Sequence, residues 1–206
     1  MTRTDAVGRA ARRPADKFED RRRQLADAAL QTLATLGYAR TSLREIAQNS
    51  AFSHGVLHYY FRDKVELITY CVQRFKTQCI ERYDAVATHA TEADALARDA
   101  GDGLAATLES DAPMHRLWYD LRSQSMFEES FRLDVAEIDA GLERMIWRIV
   151  TTYARLVGRE PACTSATAYA AFDGLFQQAL MRHLAADPAA PDELRAGTRL
   201  LLERLV

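Results

Sequence analysis

The sequence predicts an all-α protein. Apolar residues recur at intervals of three and four along most of the chain, which is the spacing of one face of a helix. The 206 residues include only 9 glycines and 5 prolines, and 48% are hydrophobic. This composition is typical of a folded helical protein and not of a disordered chain. The sequence shows neither an alternating strand pattern nor an internal repeat.

Helix boundaries can be placed from the ends of these apolar patterns. Gly37 is a suitable residue to end a first helix, and Gly101, Gly103 and Pro113 predict interruptions further along. We therefore expect one body helix to end near 108 and a new one to open at Asp111 and Pro113. The remaining predicted helices span 17–36, 63–87, 129–157 and 164–185, with a short one after 191.

Residues 41–64 predict two short helices joined by a tight turn. Ser42 and Glu45 have the spacing of a capping box, and Ser53 is placed to cap the second helix. The turn over 49–52 is long enough only for a sharp reversal of the chain. This arrangement is a helix-turn-helix, whose second helix can lie in the major groove of DNA.

The second short helix has an apolar side and a polar side. We expect Val56, Leu57, Tyr60 and Phe61 to face the core, while His54, His58 and Tyr59 face outward around Gly55. Outward polar side chains can read base edges, and a glycine permits close approach of the backbone to DNA. A solvated outer face on any small helical domain is the structural alternative.

These motifs resemble those of the TetR (tetracycline-repressor-like) regulators. The matching positions are Leu36-Gly37-Tyr38, the run 41–47, the run 53–61 and Lys64, within residues 18–67. The resemblance implies a DNA-binding helix-turn-helix domain joined to a helical ligand-binding and dimerisation domain. Together with the outward positions it gives these DNA-binding candidates: Thr41, Ser42, Arg44, Ser53, His54, Gly55, Val56, His58, Tyr59, Tyr60 and Lys64.

Three positions depart from the common family pattern. Ala51 stands where members commonly have glycine; if the turn requires positive φ, alanine costs about 1 kcal/mol there. His58 and Tyr60 stand where many members have tyrosine and histidine, respectively. The first departure bears on stability of the turn and the others on base preference.

Charge is distributed unevenly although the net charge is −2. Residues 1–64 contain 12 Lys and Arg against 7 Asp and Glu, and the remainder is acidic. A basic head on an acidic body suits a DNA-binding regulator. We predict a disordered basic arm over 1–16, a DNA-binding domain over 17–64 and a regulatory and dimerisation domain over 65–206.

The body carries two further expectations. In TetR-like proteins two large late helices form a four-helix bundle with the partner, so the resemblance implies a homodimer through 129–157 and 164–185. The C-terminal half also broadly resembles the regulatory domains of betaine-type repressors, and bulky residues near polar groups suggest a pocket, although ordinary core packing is the alternative. The ligand-binding candidates are Trp118, Tyr119, Arg122, Met126, Phe127, Trp147, Phe172, Phe176 and Gln177.

Other classes of protein have weaker support. His54 and His58 have a metal-like spacing but no third ligand nearby, and there is neither a phosphate-binding loop nor a paired nucleophile and base. We predict no catalytic residue, no metal and no cofactor. The chain lacks an apolar run long enough for a membrane span, and three cysteines without metal spacing suit free thiols in a cytoplasmic protein.

The sequence thus predicts a homodimeric transcriptional regulator, a repressor released from a palindromic DNA operator by a small molecule. A TetR-like DNA binder controlled by a protein partner, or by no ligand, is the alternative. A catalytic helical protein is the third class, which would require a turnover and no specific DNA binding.

Overall fold

The structure, a computed structural model, describes residues 14–38 and 40–206. That part of the chain is helical, without β-strands, and confirms the predicted fold class. Its helices are α1 (Pro14–Leu36), α2 (Leu43–Gln48), α3 (His54–Tyr60), α4 (Lys64–His89), α5 (Ala93–Gln124), α6 (Arg132–Val157), α7 (Ser165–Leu184) and α8 (Ala190–Leu205), with a 3₁₀ turn at Glu129–Phe131.

The head of the molecule consists of α1, α2, α3 and the start of α4. Helix α1 begins at Pro14, three residues before the predicted start, because proline is well accommodated in the first turn of a helix. The predicted basic arm over 1–16 therefore overlaps α1 in its last residues, and residues 1–13 lie outside the described part. Gly37 ends α1 with φ of +74°, the left-handed conformation that glycine commonly adopts just after a helix.

Helix α5 is continuous, which corrects the predicted break. Gly101 and Gly103 lie at close contacts: a Cβ on Gly101 would come 3.3 Å from the Arg195 carbonyl oxygen, and one on Gly103 would come 3.1 Å from the Tyr83 ring. These glycines admit neighbouring elements without interrupting the helix. Pro113 lies inside α5 on its exposed side, where water can satisfy the carbonyl that proline leaves without a donor.

The body consists of α4 to α8 packed around a core that continues into the head. Helix α1 packs on both α4 and α5, so the head rests directly on the two helices that enter the body. Cys71 and Cys79 are buried free thiols and Cys163 is half-buried. None of the helices in residues 14–38 and 40–206 has the length and apolar character needed to cross a membrane.

Candidate DNA-binding surface and regulatory cavity

The first short helix is held by its capping box. The Ser42 backbone N–H donates to Glu45 Oε2 at 2.8 Å, and the Glu45 N–H donates to Ser42 Oγ at 3.2 Å. Leu43 and Ile46 are buried beneath α2. At the other end of α2 the turn residue Asn49 closes the helix, since its side-chain amide donates to the Glu45 carbonyl at 2.9 Å.

Helix α3 presents a polar surface over a buried side. Ser53 Oγ accepts from the Val56 N–H at 3.3 Å, which fixes the start of the helix. Leu57 is buried beneath it, whereas Tyr59 is 73% exposed. A Cβ on Gly55 would meet no atom within 4 Å, so the space over the helix start is open.

Most of the predicted DNA-binding residues are exposed. Thr41 is not: it is 2% exposed, and its hydroxyl donates to the Gly37 carbonyl at 2.7 Å. Its role is therefore to hold the end of α1, which corrects its assignment as a side-chain contact to DNA. The exposed candidates are Ser42, Arg44, Ser53, His54, Gly55, His58 and Tyr59.

Three further candidates are only half exposed. Val56 packs against the core, and the Tyr60 ring lies 4.7 Å from the Phe18 ring. Lys64 Nζ donates to the Tyr38 carbonyl at 3.2 Å and lies 4.1 Å from the centre of the Tyr38 ring. The Lys64 ammonium thus already has partners in the protein, which makes a simple phosphate contact less favourable.

Two arginines near the motif were missed from the sequence. Arg40 is exposed, and its guanidinium has no hydrogen bond or ion pair within the described ranges. The Arg62 side chain is 86% exposed and pairs with Glu66. Both stand in the basic head immediately before a helix, which is the pattern that would have indicated them.

Tyr38 joins the head to the body. Its backbone N–H donates to Asp120 Oδ2 on α5 at 2.8 Å, and its hydroxyl donates to Glu128 at 3.0 Å. Burial, with the Glu128 hydrogen bond, raises the pKa of Tyr38 to about 12, so the hydroxyl remains a donor. Arg116 on α5 also donates to the Ala34 carbonyl near the end of α1.

A cavity of about 60 Å³ lies between α4, α5, α6 and α7. Of the predicted ligand-binding residues, Trp118, Tyr119, Phe172 and Phe176 line it. Arg122 lies beside them and bonds Asp173, which lines the cavity, at 2.5 Å. The space is therefore aromatic with a polar edge, as ligand sites commonly are.

The remaining predicted ligand-binding residues lie elsewhere. Met126 and Phe127 are 69% and 82% exposed, because α5 ends at Gln124 and the chain then turns outward. Gln177 is exposed, since one residue along a helix rotates the side chain away from the inward Phe176. Trp147 is half-buried on α6 and is not part of the cavity wall.

Two buried polar residues of the cavity were missed. Lys76 on α4 and His115 on α5 are 3% and 6% exposed, and Lys76 Nζ lies 3.1 Å from His115 Nδ1. Burial lowers the pKa of Lys76 to about 8. Burial, with the nearby Lys76 charge, lowers the His115 pKa well below its usual value, so the imidazole is neutral. A lysine inside the apolar stripe of α4 was the sequence feature that could have indicated them.

The carboxylates of the cavity region are held by other groups. Asp173 accepts from Arg122 and from the Tyr119 hydroxyl, the latter at 3.0 Å. Asp139 pairs with Arg122 Nε at 3.2 Å and accepts from the Tyr169 hydroxyl. Burial together with these hydrogen bonds raises the pKa of both tyrosines, which keeps their hydroxyls protonated.

Comparisons with known proteins agree with this architecture. Residues 25–71 match the family model described as bacterial regulatory proteins of the tetR family. The HTH-type transcriptional regulator BetI of Escherichia coli K12 is 28% identical over 167 residues, covering 78% of this chain and 83% of BetI.

Two solved structures have the same fold. The regulator FadR of Bacillus subtilis, in complex with stearoyl-CoA, has a TM-score of 0.71 at 19% identity, covering 89% of this chain and 97% of that one. A regulator from Saccharomonospora viridis, in complex with choline, has a TM-score of 0.73 at 16% identity, covering 90% and 96%.

Proposed function

Because the chain belongs to the TetR family of bacterial regulatory proteins, we propose that it is a repressor released from a palindromic operator by a small molecule. The observation that carries the proposal is the exposed polar surface of α3 above a buried apolar side. We place the operator-bound protein in the cytoplasm and assign it regulation, not catalysis. The roles of individual residues below are part of the proposal.

In the DNA complex, α3 enters the major groove. His54, His58 and Tyr59 are assigned to base edges, since all three are exposed and carry donors or acceptors. Ser42, Arg44 and Ser53 are assigned to phosphates at the groove edges, and Arg40 joins them as an exposed cation that has no partner among the described residues. Lys64 is assigned chiefly to positioning the head on Tyr38.

Dimerisation through α6 and α7 supports the palindrome. Two helix-turn-helix units related by a twofold axis reach two half-sites. The exposed residues of α7 from Ala166 to Met181 carry no charge, whereas exposed α6 residues include Arg144 and Arg148. Gly174 has open space above it, so a partner helix could approach α7 closely.

The structure supports a route from the cavity to the head. On α5, His115 and Tyr119 line the cavity, while the adjacent Arg116 and Asp120 bind the end of α1. A ligand that shifts α5 would therefore move the base of the head. It must bind the DNA-incompetent arrangement more tightly than the competent one, because otherwise the equilibrium does not change.

Control by a protein partner, or by no ligand, is the alternative. A solidly packed body would favour it. The cavity between α4, α5, α6 and α7 supports control by a small molecule instead.

The test is selection of DNA from a random pool by the purified protein, with sequencing of the retained molecules. We expect a palindrome with half-sites about one helical turn apart. Sedimentation of the complex should give two protomers per site. Retention of no sequence above background, by protein whose cavity is free of ligand, would contradict the proposal.

A further inference from the structure

Three buried hydrogen-bond donors surround the cavity: Lys76, His115 and Trp118. Since the Lys76 ammonium only donates, His115 Nδ1 must accept, and the hydrogen of the neutral ring is then on Nε2. Neither His115 Nε2 nor Trp118 Nε1 has a hydrogen-bond partner in residues 14–38 and 40–206. Buried donors without partners are rare and costly, so two in one cavity wall call for an acceptor.

The negative charges nearest to Lys76, on Asp139 and Asp173, act on it only at a distance. Within the described residues, Lys76 forms no ion pair, and its one hydrogen-bond partner is neutral His115. Asp139 and Asp173 are the nearby carboxylates, and both are bonded by Arg122 and by a tyrosine hydroxyl. The ammonium therefore lies in an apolar space with no matching anion.

We propose that this cavity binds a small organic anion, a monocarboxylate with a short apolar body. Its carboxylate accepts hydrogen bonds from Lys76 and from the unpartnered N–H groups of His115 and Trp118. Its apolar part lies against Phe172 and Phe176. The inference rests on the proposed control by a small molecule and gives the chemical class of that molecule.

Size and charge both restrict the ligand. The cavity of about 60 Å³ equals the liquid volume of roughly two water molecules, so it admits only a small anion such as a carboxylate of a few carbons. A quaternary cation could use the aromatic faces. However, its positive charge would be repelled by Lys76, whose Nζ lies 5.3 Å from the centre of the Trp118 ring. The Asp173 carboxylate would not compensate, because it already forms an ion pair with Arg122.

The test uses Trp118 as its own reporter. The chain has two tryptophans, so Trp147→Phe leaves Trp118 as the single one. We would titrate this variant with butyrate, with the isosteric amide butyramide and with tetramethylammonium at pH 7, and follow tryptophan fluorescence. Butyrate should bind at least about tenfold more tightly than the amide, since hydrogen bonds to charged groups are the stronger ones. Equal binding of the amide, or preferred binding of the cation, would overturn the proposal.

Variants locate the site. Lys76→Met should weaken butyrate binding by about tenfold or more. Lys17→Met, which removes an exposed lysine on α1, should leave binding unchanged. If Lys76→Met does not fold, Lys76→Gln gives the same comparison with a polar side chain. Unchanged butyrate affinity in a folded Lys76 variant would refute the site.

Operator binding separates this inference from the regulatory proposal. If butyrate binds through Lys76 without reducing DNA retention, the anion site is supported and release by its ligand is refuted. If tetramethylammonium binds the cavity and releases DNA while butyrate does neither, the anion site is refuted and ligand-controlled regulation stands.

Discussion

On α3 the polar side chains assigned to DNA face water, whereas the polar side chains around the cavity are buried. His54, His58 and Tyr59 are held by one short helix and its caps. Lys76 and His115, in contrast, meet from two helices and are 39 residues apart in sequence. A change on the first surface should alter DNA binding with little effect on folding, while a change in the cavity should alter both.

The largest expected effect separates the two sides of α3. Leu57→Ala removes a fully buried side chain from the head, so the free energy of unfolding should fall by about 4 kcal/mol. His58→Ala, one residue along the same helix but exposed, should change it by less than about 0.5 kcal/mol. Urea denaturation of both variants measures the difference. Equal losses of stability would mean that Leu57 does not pack α3 against the core.

In the cavity, replacing the buried Lys76 is expected to raise the free energy of unfolding, whereas replacing the buried Leu57 lowers it. Burial lowers the pKa of Lys76 from 10.5 to about 8 in the folded protein. Below pH 8 both folded and unfolded chains carry this proton, and the burial cost of about 3 kcal/mol is fully present. Between pH 8 and 10.5 the unfolded chain binds the proton and the folded chain does not, so this penalty disappears as the pH rises.

Lys76→Met should therefore be more stable than the parent at pH 7 by up to about 3 kcal/mol, and this advantage should shrink above pH 8. Urea denaturation of both proteins from pH 7 to 10 measures it. The difference between them cancels the titration of the buried tyrosines. Lys17→Met serves as the control with no such dependence, and a constant difference across this range would contradict the buried ammonium.

The third effect is on DNA alone. His58→Ala and Tyr59→Ala should each weaken operator binding by about 2 kcal/mol, or roughly 30-fold, because a good base contact is worth that much. His89→Ala removes an exposed histidine at the far end of α4 and should leave binding unchanged. Equilibrium binding to the selected operator, with sedimentation to confirm the dimer, decides the matter. Normal binding by both α3 variants would show that α3 does not read the operator.

The two regions also differ in how far the sequence could predict them. The head could be predicted from local patterns, because Ser42 and Ser53 each accept a hydrogen bond from a backbone N–H three residues further along the chain. The contacts of Gly101 and Gly103 lie on α8 and at Tyr83, so a local reading took both glycines for helix breaks. Arg40 was missed because the exposure of its side chain depends on the fold.

Residue size and nearby polar groups predicted only part of the cavity wall. Trp118 and Phe172 line it, as their size suggested, but Met126 and Phe127 are also large and lie in the outward turn after α5. Whether a bulky residue faces inward depends on where its helix ends. The meeting of Lys76 with His115 depends on the packing of α4 on α5, which neither helix encodes by itself.

A smaller effect is expected between the regions. Asp120→Ala removes the hydrogen bond to the Tyr38 N–H and should weaken the attachment of the head by about 1 kcal/mol. The ligand's influence on operator affinity should decrease accordingly, while affinity for the ligand itself stays the same. Asp99→Ala makes the same charge change at an exposed position of α5. If both variants keep full coupling, the Asp120 contact does not transmit it.

The smallest effect concerns the turn between α2 and α3. Among the described residues, positive φ occurs at Gly37, Gly158 and Ala186, so Ala51 is not in the left-handed conformation and bears no such strain. Ala51→Gly should therefore lower the free energy of unfolding by about 0.5 kcal/mol, because glycine gives the unfolded chain more conformations to lose. Gly55→Ala, in the open first turn of α3, should change stability in the opposite direction. A gain of stability in Ala51→Gly would show that the turn is strained after all. The backbone conformation of the turn would then lower the stability of the head, just as burial of Lys76 lowers stability at the cavity.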